Sequence, residues 1–206
     1  MANSSSAWGP DAPTGDSINP MAQVRAWFDA ARAAGVHEPE AAALATASPD
    51  GRPSVRIVLI RGIDERGLAW YTNRESRKGR ELAANPRASV AFHWAALERQ
   101  VRLEGPVELL SDAESDAYYA GRPHLSRIGA WASRQGTVIP DMAHLDARVA
   151  EFAERYPGDV PRPPYWGGYL LRPDAVEFWQ GRANRLHDRI HHVRDGDGWR
   201  TERLSP

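Results

Sequence analysis

Tight turns place the strongest constraint on this chain. Pro49-Asp50-Gly51-Arg52, Asp64-Glu65-Arg66-Gly67 and Asp195-Gly196-Asp197-Gly198 each divide two runs of strand-forming residues by a hairpin length. Links this short return a strand only to an antiparallel neighbour, since a parallel one needs a crossover of roughly a dozen residues or more. Residues 54–61, 68–72, 88–94, 99–110, 168–172, 175–180, 185–194 and 199–204 read as strands, and residues 42–48 are small and apolar. Strict alternation of strand and helix is absent, which argues against a doubly wound parallel sheet. The expected fold class is mainly β with peripheral helices, an antiparallel barrel. Strand 54–61 is apolar on both faces and is expected to be central and buried. Arg56 and Arg61 within it then require anionic partners, unless they lie at its exposed ends, which Arg61 could do more easily than Arg56.

Helices fill the gaps. Asn19-Pro20 is a cap followed by proline at the first helical position, and Met21, Val24, Trp27, Phe28 and Ala31 form one apolar stripe ended by Gly35. Ser111 and Glu114 form a capping box that opens a helix through Tyr118 and Tyr119. A second short helical stretch holds Ile128, Ala130 and Trp131. Met142, Leu145, Val149, Phe152 and Tyr156 mark a longer one. Residues 1–17 are rich in Ser, Ala, Gly and Pro without an apolar period, and are expected to be mobile ahead of one domain at 18–206.

Composition removes several function classes. The formal net charge of −1 gives no global field for nucleic acid or an anionic membrane. The absence of cysteine excludes disulfides and thiolate metal sites and fits a reducing cytoplasm. No apolar run reaches the length of a membrane span, and no signal-peptide pattern opens the chain. Eight Trp against four Phe suits aromatic-ligand walls as well as cores and interfaces.

Two stretches carry candidate chemistry. Ser76 is a natural N-cap, which puts Arg77, Lys78 and Arg80 in the first helical turn, where cations oppose the macrodipole. A phosphate bound by the free N–H groups and these side chains would account for them; an ordinary exposed helix with tolerated charges is the other reading. Further on, Gly181 and Asn184 suit a turn. If the chain leaves it extended, Arg185, His187 and Arg189 share one face. Two guanidiniums flanking an imidazole suit an anionic ring-shaped ligand, or else form a solvated basic edge strand. His187, His191 and His192 make a poor metal set on a strand without supporting carboxylates, so no metal is expected.

Arg56-Ile57-Val58-Leu59-Ile60-Arg61, Tyr71-Thr72-Asn73, Ser76-Arg77-Lys78, Leu97-Glu98-Arg99-Gln100-Val101, Ile128-Gly129-Ala130-Trp131-Ala132-Ser133-Arg134-Gln135, Glu177-Phe178-Trp179-Gln180-Gly181 and Arg185-Leu186-His187-Asp188-Arg189 together resemble the pyridoxine/pyridoxamine 5′-phosphate oxidase family, in order from about Ala22 to Pro206. The resemblance implies an FMN-binding split β-barrel, a homodimer with FMN at its interface, and oxidation of pyridoxine 5′-phosphate or pyridoxamine 5′-phosphate to pyridoxal 5′-phosphate, with O2 reduced to H2O2. It implies FMN contacts at Arg56, Ile57, Val58, Leu59, Ile60, Arg61, Tyr71, Thr72, Arg77, Lys78, Gln100, Gln135, Trp179 and Arg189. It implies substrate-phosphate contacts at Arg61, Tyr118, Arg122 and Ser126, and places Arg185 and His187 at the substrate ring as the catalytic pair. The chain departs from the family in Arg61 for the usual Lys, Gly136 for Ser, Ala183 for an acidic residue, and an N-terminal segment without the usual Arg- and Tyr-containing stretch. A same-fold oxidase of another substrate, such as a reduced phenazine precursor, and a non-catalytic flavin- or pyridoxal-phosphate-binding protein are the alternatives.

Overall fold

The computed structural model describes residues 19–206, so the expected mobile segment lies outside the described residues. The chain runs α1 (Pro20–Ala33), β1 (Ala41–Ala47), β2 (Pro53–Leu59), β3 (Gly62–Asp64), β4 (Gly67–Asn73), α2 (Arg77–Ala84), β5 (Arg87–Trp94), β6 (Arg99–Leu109), α3 (Asp112–Ala120), α4 (His124–Ala132), α5 (Met142–Arg155), β7 (Trp166–Leu171), β8 (Ala175–Gln180), β9 (Asp188–Asp195) and β10 (Gly198–Arg203). Every strand pair is antiparallel, as the hairpin turns require. The sheet order is β10-β9-β8-β6-β5-β1-β2, with β7, β4 and β3 branching from β6. The fold is a split β-barrel, with five peripheral helices among the described residues.

The split is built at Gly105-Pro106 in β6. Before it, Arg99 to Glu104 pair with β8; after it, Val107 to Leu109 pair with β7. Proline offers no N–H to a ladder there. A Cβ on Gly105 would lie 2.1 Å from the Arg172 carbonyl oxygen, so only glycine admits the returning strand at that distance.

Helix α1 closes one end of the barrel. Asn19 caps it through Met21 N–H at 3.0 Å, and all five stripe residues are buried. Trp27 meets Phe178 edge-on at 5.1 Å, and Phe28 meets Phe92 at 6.4 Å. Each such side chain contributes about 2–3 kcal/mol on burial. A separate apolar cluster of Ile128, Ala132, Phe152 and Val160 fixes α4 against α5. In α5 the stripe holds at Phe152, but Met142 is 64% exposed.

Two strand expectations need correction. Strand 54–61 is not central: β2 ends at Leu59, pairs only with β1 and forms the sheet edge, with Val55 and Ile57 about two-thirds exposed. Apolar residues on both faces ask to be covered, yet do not specify that a sheet neighbour does the covering. Strand 185–194 starts late, at Asp188. Asn184 and Arg185 both have φ of 60°, so the backbone stays curled and Arg185, His187 and Arg189 do not form one alternating face.

One buried group gives the fold a predictable acid limit. His192 in β9 is 3% exposed, hydrogen-bonded to Thr201 Oγ1 at 3.0 Å and set edge-on to Phe178. Burial, helped by the charge of His191, pushes its pKa down to about 4. The unfolded chain takes up this proton near the ordinary value of about 6.5, the native one only near 4, so stability falls as pH falls through that window. Urea midpoints should drop by the equivalent of about 3 kcal/mol between pH 7 and 4. His192→Gln should flatten that part of the profile; an unchanged slope would contradict the assignment.

Candidate active site

The start of α2 is cationic, and Lys78 in it has no acidic partner among the described residues. Ser76 accepts the Gly79 N–H, as its capping role predicts. Lys78 is 8% exposed, and its ammonium donates to Thr72 Oγ1 at 3.0 Å, Ser76 Oγ at 3.1 Å and Gln135 Oε1 at 3.1 Å. All three acceptors are neutral. Burial, then the charge of Arg56, push its pKa down to about 8. A buried cation at the positive end of a helix is doubly unfavourable unless an anion joins it.

Glu81, which the sequence reading passed over, organises the neighbouring arginines. It is buried and accepts from Thr46 Oγ1 and Ser54 Oγ, both at 2.5 Å, from Arg77 Nε at 2.8 Å and from Arg56 Nη2 at 3.4 Å. Burial raises its pKa, but the Ser54 and Thr46 hydroxyls and the Arg77 guanidinium outweigh that and hold it at about 2. Its four-residue spacing from Arg77 on a helix was the available signal. Arg56 thus has the anionic partner its strand demanded. Arg61 has one too, with Nη1 3.4 Å from Glu40 Oε1.

A cleft of about 660 Å³ opens beside Lys78. Ile57, Val58, Leu59 and Arg61 line it from β2 and the residues after it. Tyr71, Thr72, Lys78 and Gln135 line it from the α2 side, and Tyr118, Arg122 and Ser126 from α3 and α4. These eleven of the expected residues therefore meet in one chain. Tyr71 stacks on Tyr118 at 3.8 Å, and Arg122 lies over Trp166 at 4.7 Å. Arg122 Nη1 is buried with no hydrogen-bond partner. Burial pulls the guanidinium below its ordinary pKa, and the nearby Arg61 charge adds to the shift. Arg56, Ile60 and Arg77 do not line the cleft: Ile60 belongs to the core, and the two arginines stand behind Glu81.

The remaining candidates form a second group. Gln100, Trp179 and Arg189 lie in register across β6, β8 and β9. His187 packs on Trp179 at 4.5 Å, and its Nδ1 accepts the Arg182 N–H at 3.3 Å, so the neutral ring carries its proton on Nε2. Arg189 is held by Glu177, with Nε and Nη2 at 2.8 and 3.1 Å, and donates from Nη1 to the Ser205 carbonyl. Arg185 is exposed in its left-handed turn. Three strands separate β8 from β2, so this group is not part of the same chain's cleft.

Comparison with known proteins gives this arrangement a family. The profile described as pyridoxamine 5′-phosphate oxidase matches residues 28–156, more than half of the chain. The chain belongs to the pyridoxamine 5′-phosphate oxidase family. A second profile, the pyridoxine 5′-phosphate oxidase C-terminal dimerisation region, matches residues 166–206. The pyridoxine/pyridoxamine 5′-phosphate oxidase of Burkholderia multivorans is 58% identical over 191 residues, 91% of this chain and 89% of that one. Its counterpart in Rubrobacter xylanophilus is 54% identical over 196 residues, 95% and 90%. Among solved structures, PhzG of Burkholderia lata in complex with tetrahydrophenazine-1-carboxylic acid aligns with a TM-score of 0.91 at 35% identity, covering 99% of this chain and 100% of that one.

Against the usual oxidase pattern, Gly136 has a physical reason. Its φ is +89°, a conformation that a serine would adopt only under strain. Ala183 opens the short turn that carries Asn184 and Arg185.

Proposed function

We propose that this protein is an FMN-dependent oxidase that converts pyridoxine 5′-phosphate or pyridoxamine 5′-phosphate to pyridoxal 5′-phosphate, with O2 as the final acceptor. The observation that carries the proposal is a single cleft with two cationic poles. Among the described residues, one is Lys78 at the α2 N-terminus, which has no carboxylate partner, and the other is Arg122, whose buried Nη1 has no partner. Two phosphate groups, one on the cofactor and one on the substrate, match two such poles. The relatives at 54–58% identity are named for this activity.

The residues fit FMN. Lys78, Thr72 and Gln135 would hold its phosphate end, while Glu81 holds Arg56 and Arg77 beside it and leaves one net positive charge there. Bound FMN supplies the two-electron acceptor for the hydride leaving the substrate. What this chain must do is hold the reacting carbon over the flavin in a dry, oriented pocket. Arg61, Tyr118, Arg122 and Ser126 would take the substrate phosphate. Arg185 and His187 would meet the substrate ring, with His187 Nε2–H as a donor.

The match of residues 166–206 to a dimerisation region supports a homodimer, which would complete this assignment. The Gln100, Trp179, Arg185, His187 and Arg189 group lies away from its own cleft, and the exposed Val55 and Ile57 give β2 an apolar face for a second copy to cover. The second copy would bring that group to the flavin.

The test is an anaerobic titration of FMN-loaded protein with pyridoxine 5′-phosphate, then pyridoxamine 5′-phosphate, followed by visible absorbance. Bleaching restored by air is the expected result. The similarity to PhzG favours a second reading, a reduced phenazine precursor as substrate. Bleaching by such a tricyclic acid and by neither B6 phosphate would select it. A flavin band that no donor bleaches would indicate a carrier.

A further inference from the structure

Arg61 lines the cleft with its backbone pinned and its side chain held at one point. Ile60 N–H donates to the Glu40 carbonyl at 2.9 Å, and Arg61 N–H donates to Ala69 at 2.8 Å. The guanidinium has one contact, Nη1 to Glu40 Oε1 at 3.4 Å; no other ion pair or hydrogen bond of its side chain occurs among the described residues. That contact uses a corner of the fork. The side edge, Nε with Nη2, is left intact, and this edge can grip a phosphate with two parallel hydrogen bonds. A lysine has no second edge to divide between an anchor and a ligand.

We propose that Glu40 is a positioning residue for Arg61, holding one corner of its guanidinium so that the opposite edge faces the substrate phosphate. The inference rests on the reading of the cleft as a phosphorylated-substrate site. Glu40 does not neutralise the cleft as a whole, because Arg122, which also lines it, keeps a buried Nη1 without a partner among the described residues. An untethered arginine would have to lose its rotamer freedom at each binding event; the tethered one has lost much of it beforehand. Both partners are about a third exposed, at 36% and 28%, so water competes and the effect is several-fold rather than orders of magnitude.

The experiment uses FMN-loaded protein. KM and kcat for pyridoxine 5′-phosphate are measured in Glu40→Ala and Glu40→Gln, each alone and combined with Arg61→Ala. Dissociation constants for pyridoxal 5′-phosphate and for unphosphorylated pyridoxal, read by tryptophan fluorescence, provide a readout without turnover. Glu40→Ala should raise KM and the pyridoxal 5′-phosphate constant about three- to fivefold with little change in kcat. Glu40→Gln, which keeps an acceptor for Nη1, should recover most of the loss. Pyridoxal should be indifferent to both, and the effect should vanish in the Arg61→Ala background. Tighter phosphate binding in Glu40→Ala would make Glu40 a competitor and overturn the proposal, as would an effect that persists without Arg61. If Arg61→Ala and Arg122→Ala both leave phosphate binding unchanged, the cleft reading itself falls, and that result is separate from anything Glu40 does.

Discussion

Lys78→Ala should weaken FMN binding by about one to two orders of magnitude, the range for losing a charge-assisted hydrogen bond to a buried anion. The affinity of riboflavin, which has no phosphate, should change little. The argument rests on what Lys78 lacks. Its three partners are neutral oxygens, and burial with the Arg56 charge already pushes it down to about 8. A bound phosphate would favour the ammonium and raise that value. FMN affinity should therefore be flat between about pH 7 and 8, where the phosphate is mostly a dianion, and fall above pH 8, by up to about tenfold per unit, as the free protein loses the proton that binding requires. The alanine variant should lose this pH dependence. Stability moves oppositely: the unfolded chain holds the Lys78 proton up to about 10.4 and the folded one only to about 8, so the apo-protein should gain stability between those values. Equal losses for FMN and riboflavin, or no loss, would remove Lys78 from the phosphate site.

Arg185→Ala should lower turnover by about two orders of magnitude or more while FMN affinity changes less than about threefold, because a misplaced reacting group costs rate rather than cofactor binding. Arg185 holds φ of 60° beside Asn184 at the same value, next to a His187 ring already oriented by Trp179 and the Arg182 N–H. Non-glycine residues kept in this region cost about 1–3 kcal/mol and persist where something else requires them. Arg185→Gly offers a contrast. It should lose turnover like the alanine variant yet gain up to about 1 kcal/mol of stability, since glycine adopts that backbone freely. Retained turnover in either variant, or loss of flavin from both, would contradict the placement of Arg185 at the substrate.

Much of this architecture was legible locally. The α1 stripe, the Ser76 cap, the Ser111–Glu114 box and the β9–β10 hairpin each depend on residues a few positions apart, so propensity and period were enough. The demand of Arg56 for an anion was also legible, since a charged side chain in an apolar strand must be paired, and Arg61, past the strand end and exposed, has an anion as well. The identity of those anions was not. Glu81 and Glu40 reach them across turns and ladders, and Trp166 reaches Arg122 from a strand more than forty positions away.

The sequence by itself determined the antiparallel barrel, the cationic helix start and the ordered motifs of an oxidase family. Only the tertiary structure decided that β2 is an edge, that Arg185 stays curled, and that the motif residues divide into a cleft and a separate β8–β9 group. The physical reason is range. Hydrophobic period and capping act within a turn or a strand, whereas edge position and the meeting of charges depend on how distant strands pair, and one chain's composition leaves that open.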